Sequence, residues 1–563
     1  MKQLIMKVLA VLTLLAALGA CSMGGAGGDS LSADPIPPAQ RAPSLDAVTG
    51  ILPAADTATN AASIALSWDA VSEATGYEVQ LAATAAGVPA AAIQSVATTS
   101  FDPPNSSGHF WYWRVRAVDG AEFGPWSAIS SFAVGWNSAT IPNATVVGMD
   151  ATTNSTNDTT PTFEWDPVPG AVRYELSLPS VNQTISVTEP TYTLNTSLPN
   201  DTTYTWNVRA VRTVDGAEIF TAETPGATFT VAWGNNGPAR GFRFAEELVY
   251  LSTALSDPNR RSEFARGSYR LGGDIDLSGI ASWTPIGDHI FQPFTGTFDG
   301  AGYTITGLTI TGTSDFQGFF AAVDGGHITN LTLRDVDIQG RQSVGGLAGR
   351  VRSNGTVSAS SVTGRVTGHS AVGGLVGQVQ GGSISDSYAD VTVRGHAAIG
   401  GLSGAVTHNS TVSGSYAAGT VSTVSVQNSS GFRAGGLVGT LFSSTVSDSY
   451  ATATTSSSSI AGGLIGILTT DATVSRSYAI GSVSSQDNQH GGLVGTVDNS
   501  TVSDSFYDLT TTGQGDDTGK GVPKSTGAMQ NRATFTNWDF ATIWAIDPTI
   551  NSGYPYLRAL PSQ

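Results

Sequence analysis

From about residue 316 onward, single apolar positions alternate with hydroxyl-bearing ones, and the alternation returns at a fixed interval. Gly-Gly-Leu-(Ala/Val/Ser/Ile)-Gly occurs six times, beginning at Gly345, Gly373, Gly400, Gly435, Gly462 and Gly491, with spacings of 28, 27, 35, 27 and 29 residues. A degenerate copy, Gly318-Phe319-Phe320, precedes the first by 27. Ten or eleven residues after each first glycine begins a triplet in which Val or Ile stands between hydroxyl residues, as in Thr356-Val357-Ser358 and Thr445-Val446-Ser447. A further run such as Val391-Thr392-Val393 follows. Period-two patterning between Gly, Asn, Asp and Ser turns predicts three brief strands per unit. A unit that short cannot bury a core alone and must stack on its neighbours, so the predicted architecture is a parallel β-helix.

The flanks change pattern. Apolar residues at helical spacing in 244–255 predict a short amphipathic helix capping the open end of the stack, and residues 240–315 read as this cap with irregular first coils. After a loop, residues 511–563 concentrate Trp538, Phe540, Trp544, Tyr554 and Tyr556, rings expected to close the last rung. Upstream, Trp68 and Tyr77 recur as Trp165 and Tyr174 at an offset of 97, and Trp111–Val118 recurs as Tyr204–Val211 at an offset of 93. This predicts two related sandwich domains, 45–135 and 136–234. The fold class is therefore all-β: two immunoglobulin-like sandwiches, then a parallel β-helix with a short helical cap.

The early Trp strand and the later Tyr-x-Trp-x-Val-x-Ala strand resemble the fibronectin type III fold. Trp111 replaces the tyrosine-corner residue in the first copy, and Tyr204 keeps it in the second. Gly-Gly-Leu-Val-Gly followed by Thr-Val-Ser-Asp-Ser-Tyr-Ala resembles the GLUG repeat of bacterial surface proteins, among them filamentous-haemagglutinin-like adhesins and IgA-specific metallopeptidases. The resemblance covers about 316–510 and implies a secreted or surface-exposed β-helix acting in adhesion or surface interaction, with no activity of its own. The chain contains no His-Glu-x-x-His, which sets the metallopeptidase reading aside.

Lys2 and Lys7 precede an apolar run, and Leu18-Gly19-Ala20-Cys21 has the form of a lipoprotein signal (1–20) cleaved before Cys21. Cys21, the one cysteine, is thus the expected acylated, palmitate-bearing residue. Ser22 after it points to the outer membrane of a Gram-negative cell, with the protein at the cell surface. Residues 21–44, rich in Gly, Ala, Pro and Ser, form a flexible tether. The formal charge is −18, and −20 once Lys2 and Lys7 are removed, which disfavours nucleic acid as a partner. The expected partners are the membrane, through lipid, and a glycan or surface-protein ligand.

Candidate chemistry is sparse. The seven histidines show no paired spacing suited to a metal, and no cofactor or catalytic residue is assigned. Asp386, Asp448 and Asp504 share one phase of their units, where Asp serves as a turn former. The same column is the one carboxylate set for a rival reading, a polysaccharide lyase or glycoside hydrolase. Tyr388, Tyr416, Tyr450, Tyr478 and Phe506 form an aromatic column that strict alternation places inside with Val446. The outward columns are then hydroxyls, and Thr411, Ser413, Thr445, Ser447, Thr473, Ser475, Thr501 and Ser503 are the candidate ligand-binding surface. The excursion from Thr423 to Arg433 is a candidate recognition loop. A purely structural envelope protein is the third reading.

Overall fold

The structure is a computed structural model that describes residues 45–54, 57–59, 64–103, 109–214, 217–255, 257, 259–287, 292–424, 431–487, 489–515 and 520–560. The expected signal, Cys21, the tether and the middle of the Thr423–Arg433 excursion lie outside these residues.

Each repeat makes one coil with four strands rather than three. In one coil these are Gln342–Gly345, Ala348–Arg352, Thr356–Ser358 and Ser361–Thr367, and the next coil begins at Ser370–Gly373. We call the resulting parallel sheets faces one to four; they hold 6, 7, 9 and 13 strands. Gly-Gly-Leu forms the corner between faces one and two, which is why a single run in the sequence yields two strands. A Cβ on Gly436 would lie 2.0 Å from the Gly463 carbonyl oxygen, and one on Gly435 would lie 2.0 Å from that of Val438. Stacked backbones come too close there for any side chain. The leucine of each phrase, for example Leu375, Leu402 and Leu437, turns inward and is fully buried.

The lumen is filled by residues in register. Val357, Ile384, Val412, Val446 and Val474 align on face three and are all inaccessible to water. At the N-terminal end the predicted helix is present as Ala245–Ala254, with Leu248 and Leu251 fully buried. Glu247 accepts N–H groups from Arg243 (2.8 Å) and Phe244 (3.2 Å), closing the first turn. It also accepts hydroxyl hydrogen bonds from Thr159 and Ser197 of the preceding sandwich. Burial pushes its carboxyl up, and these donated hydrogen bonds partly offset that.

That sandwich has one sheet ordered Ser155–Thr156, Ala227–Val231, Thr202–Val214, Arg173–Leu178, Gln183–Val187 and a second ordered Thr191–Thr193, Thr162–Glu164, Thr145–Val146. Phe163 packs on Trp206 at 4.9 Å between them. The Tyr204 hydroxyl donates to the Pro199 carbonyl at 3.0 Å, the corner expected of this copy.

The described residues separate into two compact units, the smaller comprising residues 45–52, Ala65–Phe101 and Trp113–Ile129. Within it Leu66–Ser67 pairs antiparallel with Ser100–Phe101, and Gly76–Ala82 with Ile93–Val96. Trp68 meets Tyr77 at 5.4 Å, as Trp165 meets Tyr174 at 5.4 Å in the second sandwich. Each tyrosine hydroxyl accepts a backbone N–H at 2.9 Å, from Val71 and Val168 respectively. The repeated offset in sequence is thus a repeated core.

Candidate functional site

Face three presents two outward hydroxyl columns. Thr411, Thr445, Thr473 and Thr501 are in register, as are Ser413, Ser447, Ser475 and Ser503. Thr411 and Thr501 are exposed and the other six half-buried. Successive rungs stand about 4.8 Å apart and the two columns about 6.7 Å apart, from strand geometry. Nearer the N-terminal end of the same face the polar side chains engage one another: Thr297 donates to Ser268 at 2.8 Å, Ser358 to Thr329 at 3.1 Å, and His327 Nδ1 meets Thr356 Oγ1 at 2.9 Å. Among the described residues, the eight hydroxyls from Thr411 to Ser503 have no side-chain hydrogen-bond partner. They retain donors and acceptors for a ligand.

Sequence patterning overlooked a second serine column at the corner between faces three and four. Ser360, Ser387, Ser415, Ser449, Ser477 and Ser505 are at most 2% exposed. The N–H of each of the first five donates to the hydroxyl one rung on, at 3.1–3.3 Å. Each hydroxyl in turn donates to the carbonyl two residues before it, as Ser449 does to Ser447 at 2.8 Å. The signal was available: this serine recurs while its predecessor varies among Ala359, Asp386, Gly414, Asp448, Arg476 and Asp504.

Those predecessors are the turn formers expected. Asp386, Asp448, Arg476 and Asp504 hold φ between 44° and 48°, in the left-handed region. Two of the carboxylates are engaged. Asp448, 6% exposed, takes Arg476 Nε and Nη2 at 2.8 and 2.5 Å, and Asp504 accepts Asn537 Nδ2 at 2.7 Å. Burial raises the carboxyl of Asp386 above its ordinary value.

The aromatic column is not in the lumen. The left-handed residue and the inward serine after it shift the alternation, so Ala389, Ala417, Ala451 and Ala479 point into the main core. Tyr416, Tyr450 and Tyr478 point the other way, into a separate cluster with Met529, Phe535, Trp538, Phe540, Trp544, Tyr554 and Leu557. The C-terminal aromatics therefore lie against the side of face four. Among the described residues of this segment only Val522–Lys524 continues the stack, pairing with Phe506–Asp508.

The histidines do include a pair. His369 and His396, one repeat apart, stack at 4.6 Å between ring centres. No group of three or more His, Cys, Asp or Glu able to hold a metal gathers among the described residues.

Comparison with known proteins agrees with this architecture. Residues 368–394 match the GLUG motif. The chain is 32% identical over 206 residues to halomucin of Haloquadratum walsbyi, covering 34% of this chain and 2% of that protein. It is 26% identical over 228 residues to immunoglobulin A1 protease of Streptococcus sanguinis, covering 38% of this chain and 10% of that protein. A solved IgA1 protease aligns over 63% of this chain and 28% of its own, at 16% identity and a TM-score of 0.34. The chain thus spans a small part of the curated relatives it matches. The chain is all-β, with immunoglobulin-like sandwiches ahead of a parallel β-helix of which residues 368–394 match the GLUG motif.

Proposed function

We propose that this protein is a non-catalytic adhesion protein of the bacterial cell surface, anchored in the outer membrane by lipid on Cys21, that binds glycan along face three. One observation carries the reading: two columns of uncommitted hydroxyls, Thr411, Thr445, Thr473 and Thr501 beside Ser413, Ser447, Ser475 and Ser503, held in register by a rigid lumen. Such a grid offers a donor and an acceptor at every rung, at a spacing that a sugar chain with many hydroxyls can follow. The relatives support a surface role by name, and the protease name among them is why catalysis has to be tested.

The test is native electrophoresis of residues 22–563 through gels containing neutral polysaccharides. Retardation without clearing, abolished by Thr445→Val with Thr473→Val, is the expected result. Valine keeps the branched shape and removes only the hydroxyl. A cleared zone would overturn the non-catalytic reading and favour hydrolysis or lyase chemistry, with Asp386 the first carboxylate to replace. Absence of retardation in every gel would overturn glycan binding in favour of a structural envelope role.

A further inference from the structure

The stacked histidines belong to a cationic corner between faces four and one. Arg341, His369 and His396 occupy one position on three successive rungs: the His369 N–H donates to the Arg341 carbonyl at 2.7 Å, and that of His396 to the His369 carbonyl at 2.9 Å. Arg394 is the last residue but one of the face-four strand of the His396 rung, and Arg433 opens face one on the next. Arg341 is paired with Asp315 at 2.7 Å, and on the adjoining part of face four Arg365 is paired with Asp337 at 2.9 Å. No carboxylate among the described residues pairs with Arg394, Arg433, His369 or His396. The His396 Nδ1 is shielded from water and has no hydrogen-bond partner.

In a chain of net charge −18, this corner carries two guanidinium groups without a carboxylate partner, Arg394 and Arg433, together with the two imidazoles. We propose that the corner binds the acidic groups, sulfate or carboxylate, of a polyanionic polysaccharide. Arg394 and Arg433 stand on successive rungs, about 4.8 Å apart along the stack, which matches a chain bearing repeated anionic groups better than one small anion. Guanidinium groups offer planar pairs of donors to either kind of oxyanion. The net negative charge of the chain opposes every polyanion, and opposes double-stranded DNA, with one charge per about 1.7 Å of axis, more than a polysaccharide with more widely spaced acidic groups. The site is separate from the hydroxyl columns of face three and stands or falls independently of them.

The test is retention of residues 22–563 at about pH 6 and low salt on immobilised heparin, alginate and neutral dextran. Heparin reports sulfate with carboxylate, alginate carboxylate alone. The diagnostic variant is Arg394→Ser with Arg433→Ile, which installs the residues carried one rung on, Ser422 and Ile460. Retention by heparin or alginate, weakened about tenfold or more in this variant and unchanged in Thr445→Val with Thr473→Val, is expected. Failure of both anionic supports to retain the protein, equal retention of the arginine variant, or tighter retention by double-stranded DNA would each overturn the proposal.

Discussion

Tyr450 and Tyr478 stack with ring centres 5.0 Å apart and planes inclined by 2°, on the outside of the coil. Tyr478 also donates its hydroxyl to the Pro555 carbonyl at 2.5 Å and accepts from Asn551 Nδ2 at 2.7 Å. The pair is where the C-terminal segment is fastened to the repeats. Trp544, fully buried, meets both rings at about 6 Å.

Trp544→Ala removes one of the two tryptophans of this outer cluster. Large-to-small replacements of this kind cost about 3–5 kcal/mol. The loss should be local, because the lumen is a separate cluster. Hydrogen exchange should show residues 525–560 losing protection while the Val446 and Val474 strands keep theirs. Uniform loss along the coil would show that the segment is part of one cooperative unit with the repeats.

Ser449→Ala should destabilise the coil although it removes one oxygen. The Ser415 N–H at 3.3 Å loses its acceptor, and the Ser447 carbonyl loses a donor. A buried donor left unmade costs about 1–3 kcal/mol. Chemical denaturation followed by tyrosine and tryptophan fluorescence should move to lower denaturant. Ser447→Ala, on the outward column of the same rung, should leave the midpoint within error.

These two clusters mark how far the sequence could be read. The repeat period, the inward Val column and the helical cap were legible because each is a spacing of apolar residues. The direction of Tyr450 was not, since counting alternate residues from Val446 assumes an unbroken strand. Asp448 at φ 48° turns a corner between them, and the count is lost there. The inward serines were overlooked for a related reason: hydroxyl residues on a β-helix pass for solvent-facing ones, and their hydrogen bonds run between rungs 27 to 34 residues apart.

Arg476→Met should expose the cost of Asp448. The carboxylate is 6% exposed and would keep only the Trp544 Nε1 contact at 3.4 Å. Breaking a buried ion pair from one side costs about 3–5 kcal/mol, and partial exposure of the guanidinium brings the expected loss to about 2 kcal/mol. Asp448→Asn combined with Arg476→Met should recover part of it. If the double variant is as unstable as the sum of the singles, the pair is not what holds this corner.

The His369–His396 stack should be sensitive to acid. Burial, and then the neighbouring His369, hold His396 below its ordinary value of 6.5. The folded state therefore binds this proton less tightly than the unfolded chain, so stability is complete above about pH 6.5 and is lost as pH falls through the lowered folded value. A hydrogen bond with the Val424 backbone acts in the opposite sense and offsets this only in part. Of the nearby carboxylates, Asp315 and Asp337 are engaged with arginines, and Asp390 lies at the far end of the Arg394 strand. Exchange of the Ala397–Gly400 amides, corrected for intrinsic rate, should be about threefold or more faster at pH 5 than at pH 8. His396→Gln should abolish that difference.

The proposed attachment to the membrane rests on Cys21. The apolar run before it ends at Leu18, too short to span a bilayer and of the length that signal cleavage removes. Among the described residues no helix is long and apolar enough to cross. One acyl chain gives only reversible binding, whereas two or more hold a protein firmly. The intact protein, expressed with its signal in a Gram-negative host, should partition into the detergent phase of Triton X-114 extracts. Cys21→Ser should move it to the aqueous phase with its β-sheet spectrum unchanged. If the variant stays with the detergent phase, the anchor is not lipid on this residue, and attachment through the repeat region becomes the reading to pursue.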